Sequence, residues 1–250
     1  MIWNLIEYQK YSGKFNMDFD IHLVRNCKDG EAYLRFYGWN PACISIGANQ
    51  SFEEINKAIA DKNNIELVKR PTGGRAILHS HELTYSVVIS NQENISGRHL
   101  YEKISEAIVQ GLRNFDPNLA DISLENMQPN FSKLLTEPSG SLCFASTAKS
   151  EIKLKGKKIV GSAQRKIGNK ILQHGSILID TDHKNIVDYL NVDDSFKNDL
   201  KNEMENKTTE LSTILKSSID IIELQNNIIL GFENIFQNDF VKELPTLLQI

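Results

Sequence analysis

Residues 151–180 read EIKLKGKKIVGSAQRKIGNKILQHGSILID. EIKLKG, KKIVGSAQRK and ILQHGSILID are three β-type runs. Gly156 and the GNK at 168–170 separate them with the residue types that tight turns require. Such a string predicts a meander.

The same pattern recurs upstream. AYLRFYGW (32–39) and ACISIG (42–47) are β-rich runs with Pro41 between them and read as successive strands. IELVKR predicts a strand leading into RPTGGRAILHSHELTYSVVIS (70–90), where AILHS and LTYSVVIS continue the sheet after the turn. Met17, Ile21 and Val24 stand at helical spacing within 14–27, with Asp18, Asp20 and Arg25 mostly elsewhere. Ser51 and Glu54 form a capping box for a short helix, SFEEINKAIA. Leu100, Ile104, Ile108 and Leu112 mark an amphipathic helix over 99–115. Prolines, Gly140 and several Asn make 116–142 a long loop, and long loops in compact domains are often functional.

Beyond residue 183 the chain is polar and helical, ending in an amphipathic helix marked by Ile221, Leu224 and Ile228. The mixed order lacks βαβ regularity, which predicts an α+β fold of mixed β-sheets flanked by helices. The expected organisation is a catalytic domain over 1–182 and a helical extension over 183–250 packed on it.

Composition narrows the function. Of the 250 residues 40% are apolar and 24% charged, as in soluble globular chains, and the net charge of −4 argues against broad nucleic-acid binding. No run approaches the ~18 apolar residues that span a bilayer, and the first residues lack the order of a signal peptide, so a cytoplasmic location is expected. Three cysteines, Cys27, Cys43 and Cys143, form no CxxC and fit a reducing compartment.

The RPTGGR turn carries the first chemical signal. Gly73 and Gly74 let a ligand approach backbone N–H groups, while Arg70 and Arg75 supply planar donors for a carboxylate or phosphate. A plain glycine turn with two solvated arginines is the alternative. His79 and His81 would share a strand face, but no third ligand at suitable spacing follows, so no metal is expected and the readings left are hydrogen bonding near the turn, in which His79 would bind, or a plain structural histidine. His174 admits the same two readings, binding or structural.

Cys143 lies in SGSLCFAS at the end of the long loop, and Lys158 follows the turn glycine in GKKIVGSAQ. On a strand Lys157 and Lys158 point to opposite faces, so one enters the interior while the other stays wet. A buried ammonium near a thiol favours the thiolate, which is the logic of a Cys–Lys acyl-transfer pair. A small buried Cys143 with both lysines as surface charges is the plainer reading. Cys27 and Cys43 are packing candidates.

Taken together, NMDFD, LRFYGWNPACISIGANQ, VKRPTGGRAILHSHELTYSV, GKKIVGSAQ and LQHGSILID, spread over roughly residues 14–180, resemble the lipoate-protein ligase and octanoyltransferase family, related in fold to biotin protein ligases. The resemblance implies a biotin/lipoate protein ligase-like catalytic fold with the acyl chain in a tunnel. The acyl head group would sit at the RPTGGRA turn and the GSAQ strand, which makes Arg70, Gly73, Gly74, Arg75, His79, Gly161, Ser162, Ala163 and His174 the expected substrate-binding residues.

It also implies attachment of an octanoyl or lipoyl group to one lysine of a lipoyl domain of a 2-oxoacid dehydrogenase or of the glycine-cleavage H protein. Ligases of this family use ATP and magnesium, whereas transferases take octanoate from acyl carrier protein through a cysteine thioester and need no cofactor. Cys143 ahead of GKKIVGSAQ looks like the cysteine-containing transferase branch, with Cys143 and Lys158 as catalytic residues. An ATP-dependent ligase, an amidotransferase between carrier domains and a non-catalytic acyl-binding protein are the alternatives.

Overall fold

The computed structural model describes residues 1–91, 95–124 and 151–242. Strand β1 (Ile2–Tyr11) leads into helix α1 (Gly13–Asn26), followed by β2 (Glu31–Trp39), β3 (Cys43–Ile46), α2 (Lys57–Lys62), β4 (Glu66–Lys69), β5 (Ile77–His79) and β6 (Glu82–Ser90). Next come α3 (Gly97–Phe115), β7 (Ser123–Leu124), β8 (Ile152–Leu154), β9 (Lys157–Ile167) and β10 (Lys170–Leu178). A 3₁₀ segment (Thr181–Tyr189), α4 (Asp194–Lys207), α5 (Leu211–Leu215), α6 (Ile221–Phe236) and β11 (Phe240–Lys242) close the described chain.

Two sheets result. The larger has the order β11-β1-β2-β6-β10-β9-β8-β7, the smaller β4-β3-β5. The meander β8-β9-β10 is antiparallel, turned by Gly156 and Gly168 at positive φ (81° and 59°), as the glycine spacing predicts. One face of the large sheet packs on α3 and α6, with Leu34, Val87 and Ile177 from the strands against Ile104, Ile108, Ile228 and Phe232 from the helices. The smaller sheet packs Ile44, Ile46 and Leu78 against Ile186, Val187, Leu200 and Met204. The cavity described below opens between the two layers. Among the described residues no helix is long and apolar enough to cross a membrane.

The structure departs from the sequence expectations at identifiable places. SFEEINKAIA is not one helix: the capping box is present, but it closes a single 3₁₀ turn, Phe52–Glu54. Ile55 then pairs with Leu190 and is buried, and Asn56 caps α2 afresh. Pulling Ile55 into the core takes precedence over helix continuity. AILHS does not continue the sheet of LTYSVVIS, because β5 pairs with β3 in the smaller sheet while β6 lies in the larger. Strands β4 and β5 flank β3, so the RPTGGR turn bridges over a strand and is no hairpin. The start of the expected 116–142 loop forms a 3₁₀ turn, Pro117–Leu119, and β7; residues 125–150 lie outside the described residues.

Candidate active site

Strand register builds the site. Across β2, β6, β10 and β9, Arg35 opposes Ser86, Ser86 opposes His174, and His174 opposes Ala163. Two residues along, Tyr37, Thr84, Ser176 and Gly161 form a second row. Residues directly opposed on neighbouring strands share a face, so both rows point to the same side, away from α3 and α6. Helix α1 and the smaller sheet cover that side and leave a narrow cavity walled by Met17, Trp39, Ser45, Arg70, Ile77 and His79 together with Tyr37, Thr84, Gly161, Ala163, His174 and Ser176 from these rows.

Two buried carboxylates organise the walls. Asp20 projects from α1, fully buried, and its Oδ1 accepts from Arg35 Nη1 at 2.9 Å and Ser86 Oγ at 2.8 Å. Its Oδ2 accepts from Tyr37 Oη and His174 Nδ1, both at 3.3 Å. Burial pushes the Asp20 carboxyl upward, but the His174 hydrogen bond and the Arg35 charge outweigh it and hold Asp20 below the usual range. Burial drives the His174 pKa down, so the ring is neutral. With Nδ1 donating to Asp20, its Nε2 accepts from Thr72 Oγ1 at 2.6 Å. Helix α1, the sheet and the RPTGGR turn are thereby wired together.

Glu82 is the second hub. Its Oε1 accepts from Thr84 Oγ1 at 2.5 Å, Ser176 Oγ at 2.6 Å, His79 Nδ1 at 2.8 Å and Trp39 Nε1 at 3.2 Å. Burial raises the Glu82 pKa, and the facing His79 with the two hydroxyls more than reverses that. His79 stacks on Trp39 at a centroid distance of 4.0 Å and reaches Ser45 Oγ through Nε2 at 2.7 Å.

The turn is held from within. Arg70, 4% exposed, donates through Nε to Gly73 O (3.1 Å), through Nη1 to Ser45 O (3.0 Å) and Oγ (3.1 Å), and through Nη2 to Arg75 O (2.6 Å). Its planar fork thus shapes the loop, and it contributes charge to the cavity wall. Arg75 is half-buried, and of the two glycines only Gly74 takes positive φ (95°). Across the turn, Gly47 lies so close to Gly74 that no side chain fits between them.

Lys158 and Lys157 part as the strand period requires. Lys158 is 3% exposed and donates from Nζ to Glu151 Oε1 at 2.7 Å, whereas Lys157 Nζ reaches Glu205 O at the surface. Lys158 precedes the cavity-lining Gly161 by three residues, about 10 Å of strand. Cys143 lies outside the described residues. Cys27 and Cys43 are buried, and burial pushes both thiols up, Cys27 to about 11. His81 does not share a site with His79: it is exposed and bonds Asp182 Oδ2 at 2.5 Å. Among the described residues no three His, Cys, Asp or Glu side chains converge to hold a metal.

Residues 12–233 match the family model of the lipoyl protein ligase A/B catalytic domain. The chain belongs to that family. Among its relatives, octanoyltransferase LipM of Bacillus subtilis (strain 168) is 35% identical over 240 residues, covering 92% of this chain and 85% of the relative. Octanoyltransferase LipM of Clostridioides difficile (strain 630) is 34% identical over 247 residues, 96% of this chain and 89% of the relative. In fold, the chain is similar to a bi-partite lipoate protein ligase from Thermoplasma acidophilum, with a TM-score of 0.78 at 22% identity over 97% of this chain and 87% of that one. It is likewise similar to a lipoate-protein ligase A bound with ATP, at 0.76 and 24% identity over 97% and 89%. The relatives place this lipoyl ligase/transferase domain among acyltransferase enzymes.

Within this family domain, the structure brings Arg70, His79, Gly161, Ser162, Ala163 and His174 to one cavity, with the Gly73–Gly74 turn tied to it through Arg70. Sequence reasoning missed Asp20, Arg35, Ser45, Thr72 and Glu82. The one available signal for Asp20 was its place four residues after Asn16 in NMDFD, which puts both on one helix face. Asn16 Oδ1 accepts from Arg35 Nη2 at 2.6 Å on that face.

Proposed function

We propose that this protein transfers an octanoyl group from acyl carrier protein, through a thioester on Cys143, to one lysine of a lipoyl domain or of the glycine-cleavage H protein. The observation that carries the reading is the cavity wall. Its hydroxyls, imidazoles and carboxylates are bonded to one another, as in Ser176 to Glu82 and Ser45 to His79, so they present apolar edges to the space they enclose. A wall whose polar groups are already satisfied suits an aliphatic chain. Burying about seven carbons at ~0.8 kcal/mol each supplies roughly 5–6 kcal/mol of binding.

In this reading Cys143 attacks the donor thioester, a new C–S bond forms, the carrier thiolate leaves, and Lys158 handles the proton. Backbone N–H groups around Gly73, Gly74 and Gly161–Ala163 steady the oxyanion, while Arg70, Arg75, His79 and His174 shape the polar end. The acceptor amine then takes the acyl group from Cys143. Thioester to amide is downhill, so this route calls for neither ATP nor magnesium. Residues 1–182 form the catalytic part, and from the 183–250 extension α4 packs against the smaller sheet and α6 against α3.

The test is intact mass after mixing with octanoyl carrier protein, followed by addition of a lipoyl domain. One octanoyl adduct, absent from Cys143→Ala, and its passage to the lipoyl domain are expected. Modification of the lipoyl domain only with lipoate and ATP would replace this reading by ligation.

A further inference from the structure

We propose that Glu151 receives the amine of the acceptor lysine in the second half of the reaction, a role that rests on the transfer reading above. Three buried side-chain atoms among the described residues lack a hydrogen-bond partner: Trp3 Nε1, Glu210 Oε1 and Glu151 Oε2. Rings of Phe232, Phe236 and Phe240 surround Trp3, and Lys184 Nζ lies 3.0 Å from Glu210 Oε1. Glu151 Oε2 is the acceptor left for a ligand. Its side chain is 5% exposed, and Lys158 Nζ occupies the other oxygen at 2.7 Å.

Buried carboxylate oxygens are nearly always matched with donors, so an orphan beside a buried cation marks a place where a donor arrives. The chemistry that satisfies it is N–H, and a cationic N–H best of all. The second half-reaction brings one: the primary ammonium of the acceptor lysine, which cannot attack until it loses a proton. Glu151 stands immediately before β8 and is ion-paired through its side chain with Lys158 on β9, the strand that reaches the cavity at Gly161.

The ammonium gives one proton to Glu151 Oε2, and its nitrogen forms the C–N bond to the thioester carbonyl. The C–S bond then breaks, and the departing sulfur takes the second N–H proton, giving amide and thiol. Glu151 returns its proton to water. No oxidant, nucleotide or metal enters.

The test separates the two half-reactions in wild type, Glu151→Gln and Glu151→Asp. The Gln variant keeps an oxygen for Lys158 but cannot take a proton. Octanoyl-enzyme formation, followed by intact mass, is expected within about threefold of wild type. Discharge to a lipoyl-domain lysine should fall by the ~10²–10⁴-fold typical of a lost general base. Hydroxylamine, a nucleophile that is neutral at physiological pH, should discharge both enzymes alike, and Glu151→Asp should recover part of the lysine rate. Equal losses in both half-reactions, or in discharge by hydroxylamine and lysine, overturn the inference, since Glu151 would then only seat Lys158. Unchanged lysine discharge overturns it too. If the Gln variant does not fold, the Asp variant is read by the same split. A wild-type enzyme that forms no adduct removes the transfer reading itself, whereas an adduct with normal discharge in Glu151→Gln removes this inference alone.

Discussion

Gly47→Ala puts the turn geometry to a quantitative test. A Cβ on residue 47 would lie 2.0 Å from Gly74 O and 2.9 Å from Gly74 C, both backbone atoms that cannot rotate away. Ordinary contact begins at 3.4 Å, so the two segments must part by about 1.4 Å, the difference between 3.4 and 2.0. That movement stretches the Ala48 N to Thr72 O bond, now 2.9 Å, and drags Thr72 from His174. Overpacking of this kind costs about 1–3 kcal/mol. For a chain near this size each kcal/mol lowers Tm by roughly 2–4 °C. Displacing the proposed substrate-binding groups by ~1 Å is expected to lower turnover by around 10²-fold. Thermal unfolding and single-turnover octanoyl transfer measure the two effects. Gly73→Ala serves as the stability control, because a Cβ there meets nothing within 4 Å. A Gly47→Ala protein with wild-type Tm and wild-type transfer would refute the claim that the turn is fixed against Gly47.

Other outcomes follow from the buried groups. Asp20 and Glu82 are held below their ordinary pKa values and lend stability above those values that is lost as pH falls through the lowered ones. His174, lowered from 6.5, adds a penalty that sets in as pH drops below 6.5, because the unfolded ring takes up a proton first. Tm should therefore decline steadily on acidification from neutrality, and a flat profile by calorimetry would contradict both hubs. Arg35→Met strands the Asp20 carboxylate without its cation and should cost about 3–5 kcal/mol in urea unfolding. A loss below ~1 kcal/mol, the scale of a surface pair, would show that Asp20 does not depend on Arg35. Gly231→Ala would set a Cβ 2.2 Å from Ala107 O and force α6 off α3, at about 1–3 kcal/mol by thermal melting. An unaltered melt would mean the helices yield more easily than their spacing implies.

The meander was legible because β8, β9 and β10 are local, and glycines with positive φ mark their turns. The opposite fates of Lys157 and Lys158 followed from the two-residue period alone. Strand β1 was not recognised: Trp3, Asn4 and Leu5 are buried in succession, and the register with β2 shifts between Ile6 and Gln9, so the alternation is broken along its length. The division of β5 from β6 was equally hidden, since LHSHEL does not reveal which strand each half will pair with. Asp20 read as a solvent-facing charge because its partner, Arg35, sits fifteen residues away on a strand. Long-range pairing of that kind leaves almost no trace in local periodicity.

The chain has two tryptophans, and the fold gives each a different address. Trp39 lies flat on His79 at the cavity between the two sheets, while Trp3 is enclosed by Phe232, Phe236 and Phe240 where β11 joins the sheet beside β1. Intrinsic fluorescence is therefore a two-channel signal. In a Trp3→Phe background the remaining emission reports the arrival of a fatty chain, and in a Trp39→Phe background it reports the docking of the carboxy-terminal segment.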